Sequence, residues 1–260
     1  MTIIGDSAFY NCSSLTSITI PDGVTSIGYE AFYNCSSLTS IIIPDSVTSI
    51  GGYAFEDCSS LTEIKFKDMA SYCQIDGLRN VDKSKVYIGG QKLTEMTSIV
   101  IPDGVTYIGS SAFHSCSSLT SITIPDGVTS IGEYAFEYCS SLTEIKFKDM
   151  ASYCQIDGLR NVDKSKVYIG GQKLTEMTSI VIPDSVTIIG DSAFSGCRSL
   201  TSITIPDSVT SIGDEAFWAC RSLTDITYKG TKAQWKAIEK GYSWNYNTGN
   251  YTVHCTDGDI

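Results

Sequence analysis

A 23-residue unit, clearest as Leu15 to Ser37 (LTSITIPDGVTSIGYEAFYNCSS), restarts at Leu38 and Leu61 and returns at Leu119, Leu142, Leu200 and Leu223. A fixed period of this length constrains the fold more than any other feature. No single unit can enclose its own apolar side chains, so each must bury them against the unit before and the unit after, which is a solenoid. The architecture is therefore legible before any ligand is.

Within one unit, Leu15, Ile18 and Ile20 follow an L-x-x-L-x-L spacing, which turns three apolar side chains inward from an extended chain while Ser17 and Thr19 face out. Pro21-Asp22-Gly23 ends the strand. Proline donates no ladder hydrogen bond, aspartate caps a turn and glycine tolerates positive φ. Val24 and Ile27 form the next inward pair, closed by Gly28. Ala31, Phe32 and Cys35 then carry the spacing of a single helical turn. Phe9, Phe32, Phe55, Phe113, Phe136, Phe194 and Phe217 share one repeat position and are expected to stack as a core spine.

The strand centres fall at Ile18, Ile41, Ile64, Ile99, Ile122, Ile145, Ile180, Ile203 and Ile226, spaced by 23 except for two intervals of 35. This predicts nine rungs of a parallel sheet. The long intervals belong to an 81-residue period in which Cys58–Asp103 and Cys139–Asp184 are identical. Such identity marks duplication and says nothing about use. In each insert, Asp68 to Cys73 reads as a capped helical turn and Val86 to Leu93 as a hairpin around Gly89-Gly90, together bulging as a lobe. The tail leaves the period at Tyr228. Lys232 to Gly241 reads as a short helix with Trp235 and Ile238 on one face, and Asn250 to Cys255 alternates like an edge strand.

The units IPDGVTSIGYEAFYNCSSLTSI and IPDSVTSIGDEAFWACRSLTDI resemble the BspA-like leucine-rich repeat family of bacterial surface proteins over nearly the whole chain. The resemblance implies an α+β repeat solenoid: a right-handed coil with a parallel β-sheet on one face, short helical turns on the other, and a C-terminal helix-plus-strand cap. We expect the repeat solenoid over 1–227, with long inserts within 65–98 and 146–179, and the cap over 228–260. The resemblance also implies a cell-surface or secreted protein, some members being associated with adhesion to host matrix proteins or other cells, and it brings no catalytic residues. Neither a signal nor an anchor is seen in this chain, and the N-terminus reads as a boundary that cuts an array.

Spacing decides among the chemistries that ten cysteines suggest. Cys12, Cys35, Cys58, Cys116, Cys139, Cys197 and Cys220 occupy one repeat position and should form an inward ladder of free thiols, since stacked neighbours at about 4.8 Å are too wide for a bridge and do not converge on zinc. Asp22, Asp45, Asp103, Asp126, Asp184 and Asp207 precede Gly or Ser in a turn, outside any calcium-loop pattern. Only His114 and His254 are present, neither in a catalytic signature, so the reading is no enzyme, no cofactor and no metal.

No run approaches the roughly 18 apolar residues of a membrane span. Net charge is −11, yet every Lys and Arg before Arg198 lies in an insert. Each insert thus reads as a positive island, and the candidate binding residues are Lys65, Arg79, Lys83 and Lys85, their copies Lys146, Arg160, Lys164 and Lys166, and Thr123 on the strand row between them. The expected function is a monomeric binding or adhesion module whose partner is a host or neighbouring-cell protein or an anionic glycan, with no nucleic acid and no membrane insertion. The alternative is a passive spacer in a larger surface protein. The outward strand row (Thr19, Ile42, Lys65, Val100, Thr123, Lys146, Val181, Thr204, Thr227) reads as small, nearly neutral and without aromatic residues.

Overall fold

The computed structural model describes residues 2–260, which divide into two compact units: 2–122 with 131–142, and 123–130 with 143–260. In the first unit the outward row begins with β1 (Ser40–Ile43) and β2 (Glu63–Phe66), paired in parallel with Ile41 opposite Ile64 and Ile42 opposite Lys65. Alternation sorts the side chains, burying Ile41, Ile43, Ile64 and Phe66 and leaving Ile42 and Lys65 outward. The segment around Ile18, expected as a rung, stays outside the regular ladder. A second, shorter ladder runs Ile3–Ile4, Ser26–Ile27 and Ser49–Ile50, all parallel.

The turn between the two ladders is closed by backbone, with Val24 N–H donating to Pro21 O and Val47 to Pro44. The turn aspartates are therefore free for other work. Asp45 takes the Lys67 ammonium at 2.7 Å, and Asp184 in the second unit takes Lys229.

The arc after Gly28 is a chain of i+3 turns rather than a helix. Ala31, Tyr33 and Cys35 donate to Gly28, Glu30 and Phe32, while the alternate N–H groups of Glu30, Phe32 and Asn34 donate to Gly52, Ala54 and Glu56 of the next coil. Half of the amides thus serve the neighbouring coil, which an i+4 helix would forbid. The cost is positive φ at Glu30 (53°) and Asn34 (54°), about 1–2 kcal/mol each, offset by the inter-coil bonds. Under this arc the Phe spine forms as expected, with ring centroids of Phe9, Phe32 and Phe55 5.1 and 5.7 Å apart and nearly parallel.

The cysteine ladder also forms, and it has a bonding role that spacing did not suggest. Cys35, Cys58, Cys139 and Cys220 each donate Sγ–H to the carbonyl of the phenylalanine 26 residues earlier, at 2.9–3.2 Å. All ten cysteines are free. Burial pushes the Cys35 thiol up to about 11 and Cys116 to about 12, so the reactive thiolate is scarce at neutral pH. Only Cys12 and Cys255 are half-exposed. An alkylating reagent at pH 7.5 is expected to label these two first and the other eight only on denaturation, without reductant; peptide mass spectrometry showing bridged ladder cysteines would contradict the ladder.

The inserts are coils of the solenoid, not lobes beside it. After β2, Asp68 accepts from Ser71 N–H and caps α1 (Met69–Cys73). Tyr72 of α1 is fully buried and enters the aromatic spine, 5.0 Å from Phe66 and 6.1 Å from Phe113. Asp76 bridges to Ser49 of the second ladder, and β3 (Val86–Ile88) pairs in parallel with β2, Ile64 opposite Val86. The hairpin then turns at Gly89-Gly90 into antiparallel β4 (Gln91–Lys92), followed by the 3-10 turn Leu93–Glu95 and β5 (Ser98–Val100). Val86, Ile88 and Leu93 are buried, which is the physical reason: the insert carries its own inward apolar set and buries it like any other coil.

The second unit repeats this plan with β6 (Glu144–Phe147), α2 (Met150–Cys154), β7 (Val167–Ile169), β8 (Gln172–Lys173) and β9 (Ser179–Val181). It continues through β10 (Ser202–Ile205) and β11 (Asp225–Tyr228), both parallel. In the tail, Thr231 and Gln234 form a reciprocal capping box at the start of α3 (Lys232–Ala237). The helix ends sooner than its apolar spacing suggests because Glu239–Lys240 pairs with Ser211–Ile212. β12 (Thr252–Cys255) joins β11 in parallel and β13 (Gly258–Asp259) returns antiparallel, so the edge is β13 and not β12. The tail therefore uses the same sequence of steps as the inserts: helix, bridge to the second ladder, parallel strand, antiparallel return.

Candidate functional site

Because β3 is a rung, its central residue joins the outward row. In register the first unit reads Ile42, Lys65, Tyr87, Lys92, and the second reads Lys146, Tyr168, Lys173. This corrects the expectation of a row without aromatic residues. The buried–outward–buried alternation of Val86-Tyr87-Ile88 matches that of Ile41-Ile42-Ile43 and was the available signal, masked by the stronger hairpin signature of Gly89-Gly90. Outward strand positions also expose large aliphatic side chains, Ile42 at 66% and Val100 at 68% in the first unit and Val181 at 62% in the second.

Between each hairpin and the strand that follows lies a cleft of about 550 Å³, lined in the first unit by Tyr87, Gln91, Lys92, Glu95, Met96 and Ser98. Its copy in the second unit, about 560 Å³, is lined by Tyr168, Gln172, Lys173, Glu176, Met177 and Ser179. The antiparallel return breaks the run of parallel pairing, which is how the 3-10 turn comes to wall a hollow.

The predicted cations are distributed over distinct environments. Lys65 and Lys146 stand on the outward row, half-exposed and paired with Glu63 at 2.6 Å and Glu144 at 2.7 Å. Arg79 is exposed, its guanidinium carbon 5.5 Å from the Tyr134 ring on the turn side. Its copy Arg160 instead meets Asp191 at 2.6 Å. The sequence explains the divergence, since the residues 81 positions before Asp191 and after Tyr134 are Ser110 and Glu215. Lys85 and Lys166 are half-buried, 4.0 and 3.9 Å from Asp82 and Asp163. Thr123 is half-buried on Ser121–Ile124.

Lys83 and Lys164 are not surface cations, contrary to expectation. Lys83 is 6% exposed, and its Nζ donates to Leu78 O and to Val81 O at 3.0 Å; Lys164 does the same with Leu159 and Val162. The tight 3-10 turn points these carbonyls inward, and only a long side chain with several donors satisfies both. Burial pulls both ammonium groups down to about 8. These lysines close a turn and are unavailable to a partner.

One constellation has the ingredients of nucleophilic chemistry. Ser115 Oγ lies 2.9 Å from His114 Nδ1, and Glu137 lies 3.7 Å from Nε2. The backbone amides that an oxyanion would need are already committed: Ser115, Cys116 and Ser117 N–H donate to Glu137, Phe113 and Ser115 carbonyls. Among the described residues no cluster of His, Cys, Asp and Glu is placed to hold a metal, and no helix is long and apolar enough to cross a membrane.

The family model described as BspA type leucine rich repeat region (6 copies) matches over residues 1–94, 91–167 and 172–248. The chain belongs to this family. No curated protein matches it. Among solved structures, it is similar to a leucine rich cell surface protein from Faecalibacterium prausnitzii (28% identity over 92% of this chain and 86% of that one, TM-score 0.37). It is also similar to a leucine-rich repeat protein from Bacteroides ovatus (26% identity, 90% of this chain, TM-score 0.41), of which it spans 62%.

Proposed function

We propose that this BspA-type protein is a non-catalytic binding module of a bacterial cell-surface or secreted protein, and that it presents its outward row to a host or neighbouring-cell protein or an anionic glycan. The observation that carries the reading is the outward row itself. Ile42, Lys65, Tyr87 and Val100 in the first unit and Val181 in the second stand at outward strand positions where the core asks for nothing, yet they are large or charged, and all three aliphatic ones are mostly exposed. Family membership supports the surface location, and the committed amides around Ser115 support the absence of catalysis. Within this reading, residues 1–227 are the repeat array and 228–260 the cap that covers its last rung.

The cations that remain available are Lys65, Arg79, Lys85 and their copies Lys146, Arg160 and Lys166, with Thr123 on Ser121–Ile124, the strand next to that of Lys146. In a screen against matrix proteins and acidic glycans, changing Lys65, Arg79 and Lys85 together with their copies to Glu is expected to weaken binding at least ten-fold and to flatten its salt dependence. A ligand bound with unchanged affinity by that variant contradicts the assignment of these residues. The spacer reading is favoured by one observation, that Lys83 and Lys164 are consumed by internal bonds, and it predicts no ligand in the same screen.

A further inference from the structure

We propose that the twin clefts beside Tyr87 and Tyr168 are saccharide subsites that take an uncharged sugar unit. Each cleft lies beside the outward strand positions of its own unit, on which the previous reading rests, but neither requires the acidic partner of that reading. Each is about 550 Å³, a volume suited to one or two sugar rings. The lining supplies both halves of sugar recognition. Half-buried Tyr87 and Met96 offer apolar surface to the C–H face of a pyranose, while Gln91, Glu95 and Ser98 offer side-chain donors and acceptors to adjacent hydroxyls. Charge decides for a neutral ligand. Each cleft contains one lysine and one glutamate, Lys173 and Glu176 sitting 3.4 Å apart, so the wall is polar without net charge.

None of these groups serves the core. Gln91, Glu95 and Ser98 are exposed and Lys92 is half-exposed, whereas the residues that hold the hairpin in place are Val86, Ile88 and Leu93. The cleft exists because the chain returns antiparallel at Gly89-Gly90 instead of rising directly into the next coil, and the identical sequence of the two inserts makes the second cleft the same in its lining.

The test is isothermal titration of the whole chain with a panel of neutral oligosaccharides (gluco-, manno-, galacto- and xylo-oligosaccharides and N-acetylglucosamine oligomers) at low and high sodium chloride. At least one class is expected to bind with two equivalent sites per chain and an affinity that changes less than about two-fold with salt, because no net charge is screened. Tyr87→Ala alone should reduce the stoichiometry to one, and Tyr87→Ala with Tyr168→Ala should weaken binding at least ten-fold. Gln91→Ala with Gln172→Ala, at exposed positions that leave folding untouched, should reproduce a loss of several-fold. Absence of binding across the panel, binding abolished by salt, or binding indifferent to both pairs of substitutions overturns the proposal. The charge-reversal variant keeps Tyr87 and Tyr168, so failure here leaves the acidic-partner experiment readable, and failure there leaves this one readable.

Discussion

Adding a single methyl group at Gly77 is expected to destabilise the first unit by about 2–5 kcal/mol. Gly77 follows Asp76 where the insert coil touches the second ladder, and it holds φ +89°. A Cβ there would lie 1.9 Å from Ile50 O and 3.0 Å from its carbonyl carbon, both backbone atoms with no rotamer to escape through. Two costs add. A non-glycine residue at positive φ loses about 1–2 kcal/mol, and forcing extra volume into packed backbone loses about 1–3 kcal/mol. Gly104 separates them, because it has nearly the same φ of +90° and nothing within 4 Å of its would-be Cβ. Gly104→Ala should therefore show the conformational cost alone. Urea unfolding of the two variants makes the comparison; equal losses would mean that the close approach to Ile50 is not what holds the insert coil down.

Removing the Tyr72 ring is expected to cost about 3–5 kcal/mol, the range for deleting a buried aromatic side chain. Tyr72 is fully buried between Phe66 and Phe113, and its hydroxyl donates to Ala112 O. Tyr72→Phe keeps the ring and leaves the Ala112 carbonyl unmet, a smaller loss of about 1–3 kcal/mol. In a solenoid each coil is stabilised by its neighbours, so the damage should be local as well as global. Hydrogen exchange is expected to speed up first in α1, β3 and the arc around Phe113. Tyr72→Ala with unaltered exchange there would contradict its place in the spine. The same variant bears on binding, since the coil that Tyr72 anchors is the coil that carries Tyr87 outward.

How much of this was legible without coordinates depends on the range of the interaction. The inward Ile rungs from Ile41 onward, the Phe spine, the free-thiol ladder and the capped turn at Asp68 were all readable, because each follows from side-chain alternation or from stacking of identical units, whereas the rung expected at Ile18 does not form. The i+3 turns were not, because the donors of Glu30, Phe32 and Asn34 go to residues 22 positions later. Lys83 was counted as a surface charge because Lys is almost never buried; only the inward carbonyls of Leu78 and Val81 make an exception of it.

By itself the sequence determined the coil, its period and the kind of residue at each inward position, since a repeated unit of 23 with one apolar edge has no other way to bury it. Tertiary structure alone decided what the two 35-residue intervals become. Whether Val86-Tyr87-Ile88 hangs in a lobe or adds a rung depends on pairing with Glu63–Phe66 about 22 residues earlier and on Tyr72 finding its place in the spine, and no local pattern encodes either. That register turns Tyr87 and Tyr168 outward, opens the clefts beside them and draws Lys83 and Lys164 inside, so the candidate surface is a product of long-range pairing.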